Sequence, residues 1–176
     1  MSDELIQGRN LLLHGRFPAQ WKDVWTPNGV GNARLVDDAV YGAYLMTNGL
    51  SEVTQVIPLP TFTNAQMEGV TARTRFVYEN YNEGRGAGVL FTTSAGVEFP
   101  IDLSGKKNLF AEWNEYVWAN IPGVTAADTN LEVTIKAPDI SGSGGLRITD
   151  IGVDLMLSPL QLKNLQLDGR VYEQAV

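Results

Sequence analysis

The sequence contains no cysteine, which removes disulfide frameworks, thiolate metal sites and cysteine nucleophiles from consideration. It has one histidine, His14, so a histidine-rich zinc centre is excluded and any Ser-His-Asp triad would have to be built on that residue. No apolar run approaches the roughly 20 residues that cross a bilayer as a helix. Positive charge is in short supply: 13 Lys and Arg stand against 20 Asp and Glu, a formal net charge of -7. Such a surface repels phosphate polyanions. Neither nucleic acid nor membrane insertion is expected. The opening MSDELIQ carries acidic residues where a signal peptide needs a basic region followed by an apolar one. The expectation is therefore a cytoplasmic protein, or one exported by a non-classical route.

What is present is an ordinary globular balance of 44% hydrophobic and 19% charged residues over 176 positions, enough for one domain with a sizeable core. Between residues 10 and 157 no uninterrupted stretch repeats apolar residues at helical spacing. Short runs rich in Val, Ile, Thr, Phe and Tyr take its place: 33-47, 52-59, 69-79, 86-93, 97-103, 114-121, 131-137 and 145-157. Turn formers such as TNGL, YNEGRG, TSAGV, LSGKKN and ISGSGG separate them. Leu131, Val133 and Ile135 alternate with Glu132, Thr134 and Lys136, as in a strand with one wet face. Ile151, Val153, Leu155 and Leu157 alternate with Asp150, Gly152 and Asp154 in the same way. The pattern predicts an all-β sandwich of two antiparallel sheets over residues 1-158. Residues 159-176, after Pro159, form a tail with mixed leucine spacing that suits a linker, a segment packed on the sandwich or an oligomerisation arm.

Five pieces occur in a telling order: NLLLHGRF (10-17) followed by Trp25 in VWTPNG, VYGAYLMT (40-47), TQVIPL (54-59), WNEYVW (113-118) and LRITDIGVDLML. Together they resemble the galactose-binding-like carbohydrate-binding modules, which are jelly-roll β-sandwiches. The resemblance implies a non-catalytic domain whose partner is an oligosaccharide or polysaccharide. Many relatives carry a structural calcium, and the resemblance makes Asp150 the one candidate metal ligand. Two carboxylate positions depart from the family pattern, with Thr149 and Pro18 in their place, so the chain is expected to fold without calcium or any other cofactor.

Sugars are held by aromatic faces stacked on pyranose C-H surfaces and by planar polar groups that fix hydroxyls. Tyr78, Asn80, Tyr81, Asn82 and Arg85 cluster in one stretch, where Tyr81 is expected in an exposed polar turn as the stacking plate. Trp25 and Trp113 are further candidates, each with a competing role in the core. Arg73 and Arg75 share one strand face opposite Ala72, Thr74, Phe76 and Tyr78. They fit either a surface ion-pair ladder with Glu79 or Asp102, or a polar face that reads hydroxyls or carboxylates. His14 reads as a turn residue.

Two other functions compete. A structural or assembly sandwich, as in a phage-tail-like or toxin-like particle, would use the tail to form a homo-oligomer or larger assembly. A glycosidase would need two carboxyls about 5 Å or about 6.5-9.5 Å apart; Glu98, Asp102, Glu112 and Glu115 are available, but no spacing singles out a pair. An enzyme is not expected.

Overall fold

The computed structural model describes residues 11-29, 33-59, 71-81, 86-104, 113-138 and 145-156. Its strands, in chain order, are β1 (Thr26–Asn28), β2 (Ala33–Asp38), β3 (Gly42–Thr47), β4 (Glu52–Pro58), β5 (Thr71–Tyr81), β6 (Gly88–Thr93), β7 (Glu98–Asp102), β8 (Asn114–Ile121), β9 (Asn130–Lys136) and β10 (Gly145–Met156). They form two five-stranded antiparallel sheets, β1-β4-β9-β6-β7 and β2-β3-β10-β5-β8. The jelly-roll sandwich that the sequence predicts is therefore the fold observed.

Two boundaries differ from expectation. Residues 33-47 are a hairpin of two strands, because the Asp38 carboxylate accepts from the backbone N-H of both Val40 and Tyr41 and turns the chain there. Tyr81 ends β5, in register with Gly145, rather than lying in a turn. Pro100 sits in β7 at the edge of its sheet, where a residue without an N-H leaves no ladder bond unmade.

The core lies between the sheets. Leu131, Val133 and Ile135 of β9 are fully enclosed, as their alternation requires. Ala72, Thr74, Phe76 and Tyr78 of β5 face them from the other sheet, together with Leu45 of β3. β10 contributes Leu146 and Ile148, then Ile151, Val153 and Leu155. The alternation slips by one residue between Ile148 and Ile151. A bulge between Thr149 and Gly152 absorbs the extra residue, and Asp150 within it has φ 51.

The segment before β1 closes one end of the core with Leu12, Phe17, Trp21 and Trp25. Three contacts hold it. The Gln55 amide on β4 grips Leu13, its Oε1 accepting from Leu13 N at 2.9 Å and its Nε2 donating to Leu13 O at 2.8 Å. Trp25 Nε1 donates to His14 O. Ile151 N donates to Gly15 O, and the approach is so close that a Cβ on Gly15 would lie 2.0 Å from Ile151 O.

Candidate functional site

Because side chains alternate across a strand, every residue between two core residues points to the outer face of its sheet. On the β2-β3-β10-β5-β8 sheet this places Tyr44 and Met46 of β3, Arg147 and Asp154 of β10, and Arg73, Arg75, Val77 and Glu79 of β5 on one surface. Register aligns them in rows. Arg34, Met46, Arg147 and Glu79 run across four adjacent strands, and Asp154, Arg73 and Asn120 form another row. A face that points away from the core is normally wet, yet the Glu79 side chain is 0% exposed and those of Asp154 and Arg147 are 8% and 13% exposed. These charged groups are packed against their neighbours instead of standing in water.

An aromatic corner occupies one end. Tyr44 is packed edge to face against Trp113 at 5.2 Å between centroids, and Trp113 meets Tyr41 in the same manner at 5.4 Å. Trp113 precedes β8 at one edge of the sheet, whereas Tyr44 lies on β3, three strand spacings or roughly 14 Å away. The Trp113 ring therefore reaches inward over the face. The Arg147 guanidinium lies over the Tyr44 ring, 5.6 Å from its centre. Tyr41 and Trp113 are half-buried, which leaves part of each ring to solvent.

Behind the corner, β5 and β10 exchange charges pairwise. Arg147 Nη1 donates to Glu79 Oε2 at 3.1 Å, Arg75 Nη1 to Asp150 Oδ2 at 2.9 Å, and Arg73 Nη2 to Asp154 Oδ2 at 3.4 Å. Asp150 also accepts from Arg16 Nε at 3.0 Å on its other oxygen. Burial pushes the Asp154 carboxyl above the ordinary 3.8, outweighing the hydrogen bond and the charge of Arg73. Thr149 completes this stretch by donating its hydroxyl to Ala43 O at 2.7 Å.

The expected residues divide. Arg73 and Arg75 lie on this outer face, and Trp113 packs on Tyr41 and Tyr44 at its corner. The arginines do form a ladder, but with Asp154 and Asp150. Glu79 is taken by Arg147, and Asp102 lies on β7 of the opposite sheet. Trp25 and Tyr78 are corrections: at 0% and 4% exposure they are core residues, packed on Phe17 and Phe76 respectively, and neither ring can stack on a ligand there. Asn80 and Tyr81 are placed only by strand register; Asn82, Arg85, Glu112 and the tail 159-176 lie outside the described residues.

Asp150 lies within the bulge of β10. It bridges two guanidiniums across 134 and 75 positions of sequence. Calcium asks for six to eight oxygens, and two arginine cations on the one candidate carboxylate oppose a dication. Among the described residues no three His, Cys, Asp or Glu are gathered to hold a metal. Among the described residues, those around Asp150 do not fit the calcium site that the resemblance implies. Tyr41, Tyr44 and Arg147 were not singled out from the sequence, and Glu79 was named only as a partner for Arg73 and Arg75. Tyr44 carried a signal: it is a large aromatic at a position alternating with Leu45, and hence on the side away from the core.

No protein-family model matches this sequence, and no curated protein does. Solved structures do. One is the module TmCBM61, determined in complex with beta-1,4-galactotriose, with a TM-score of 0.59 and 14% identity over 82% of this chain and 97% of that one. Another is the enzymatically active domain of tailspike protein 4 of bacteriophage CBA120, with a TM-score of 0.55 and 14% identity. The match to the latter covers 83% of this chain and 21% of that one. At such identities the likeness establishes the shared fold.

Proposed function

We propose that this chain is a non-catalytic carbohydrate-binding module whose ligand lies on the outer face of the β2-β3-β10-β5-β8 sheet. The observation that carries the reading is the half-exposed Tyr41-Trp113 wall beside a row of planar guanidinium and carboxylate groups. Ring faces of this kind bind the C-H surfaces of sugars, and planar polar groups orient hydroxyls. The first solved structure described above supports it, since that module was determined with a galactotriose bound. Tyr81, with Asn80, Asn82 and Arg85, remains part of the proposal as a second contact.

Each stacked ring contributes on the order of 0.5-1.5 kcal/mol beyond area burial, so single-module affinity is expected in the micromolar to millimolar range. The test is a glycan array, followed by titration of the best ligand with Trp113→Ala, Tyr41→Ala and Tyr81→Ala. Loss of binding by about tenfold or more in a still-folded Trp113→Ala protein supports the assigned face. If Trp113→Ala and Tyr41→Ala bind as the parent does while Tyr81→Ala does not, the site belongs to the β5-β6 connection instead.

A further inference from the structure

We infer that the glycan accepted by this face is electrically neutral, as opposed to a polyuronate or a sulfated polysaccharide; the inference rests on the glycan-binding reading above. It follows from how the cations of the face are used. Arg147, Arg75 and Arg73 each meet a carboxylate on the neighbouring strand, at 3.1, 2.9 and 3.4 Å. The carboxylates are themselves withdrawn from water, with side-chain exposures of 0% for Glu79, 15% for Asp150 and 8% for Asp154. A guanidinium held in this way is planar and polar but carries no uncompensated charge into the site. An incoming uronate would have to displace a largely buried, paired carboxylate or stand beside it, and like charges so placed repel.

Two further arginines exceed the carboxylates in number, but both are exposed, where water screens their charge. Arg34 lies on the edge strand β2, with its guanidinium 3.7 Å from the Met46 sulfur. Arg16 comes from the N-terminal turn, is 69% exposed, and shares Asp150 with Arg75. At longer range the chain as a whole carries a net charge of -7, a field that slows the approach of any polyanion. Local pairing and overall charge thus select in the same direction.

The experiment titrates the full chain with β-1,4-galactan, xylan and mannan as neutral probes and with polygalacturonate as the acidic one, at about 20 mM and about 300 mM salt. At least one neutral glycan is expected to bind with an affinity that changes less than about twofold between the two salts. Polygalacturonate is expected to bind at least about tenfold more weakly than that glycan. Asp150→Asn removes the carboxylate shared by two guanidiniums, so it should raise polygalacturonate affinity in a manner abolished at high salt. Asp154→Asn gives the same reading at Arg73 if thermal melting shows that the first variant is unfolded. Salt-sensitive binding of polygalacturonate by the unaltered protein, as tight as that of any neutral glycan, would overturn the inference while leaving the glycan reading intact. Binding of no probe of either class, on the array or in titration, would overturn both.

Discussion

Two residues carry more of this molecule than their types suggest. Trp25 is fully enclosed, 5.5 Å from the Phe17 ring, with its N-H donated to His14 O. Trp25→Ala should therefore cost roughly 3-5 kcal/mol in chemical denaturation, whereas the half-exposed Trp113 should cost clearly less when truncated. A Trp113→Ala loss as large as that of Trp25→Ala would contradict the exposure assigned to its ring. Asp150 combines a carboxylate gripped by Arg16 and Arg75 with a left-handed backbone. Replacing it by Ala or by Gly removes the same carboxylate, but only Ala keeps a Cβ in a conformation that disfavours one. Asp150→Gly should thus be more stable than Asp150→Ala by about 1 kcal/mol in urea unfolding. The reverse order would mean that the bulge does not hold this residue at positive φ.

At the scale of elements, two buried carboxylates give opposite pH dependences. Asp128 ties the β6-β7 hairpin to the loop before β9, accepting from Ser94 Oγ and Ala95 N on one oxygen and from Thr125 N and Oγ1 on the other. Burial alone would raise its carboxyl, but these bonds, led by the Thr125 backbone N-H, outweigh it and hold the carboxyl below 3.8. Its contribution is present above that value and is lost as pH falls through the lower folded one. Asp154 on β10 is raised, so its contribution is complete below 3.8 and lost as pH rises through its folded value. Unfolding free energies measured from about pH 2.5 to pH 7 should show Asp128→Asn flattening the acid limb and Asp154→Asn flattening the decline just above it. An unchanged acid limb in Asp128→Asn would remove the capping account of that hairpin.

For the whole molecule, the packing of Gly15 on Ile151, the Gln55 grip on Leu13 and the Arg16-Asp150-Arg75 clamp join the N-terminal segment to both sheets through protein groups. EDTA should then leave the melting temperature unchanged, and added calcium should not raise it; a shift of many degrees would show that a metal binds the native state. The two-sheet sandwich, the core-facing side of β9 and the outward placement of Arg73 and Arg75 could all be read from period-2 alternation, because burial between two sheets imposes that period directly on the chain. Turn chemistry marked most boundaries but not the Asp38 turn, where a carboxylate caps two amides and the one glycine, Gly42, lies inside a run that otherwise alternates like a single strand. The bulge at Asp150 was hidden because one extra residue only shifts the phase of an otherwise regular pattern. The site depended on pairings between strands distant in sequence. Only the sheet order set Tyr44 beneath Trp113 and Arg147 against Glu79, and only enclosure separated the ring of Trp25 from that of Trp113. Alternation determines which side of a sheet a residue takes; which neighbours it meets there is decided by strands that the sequence order does not place side by side.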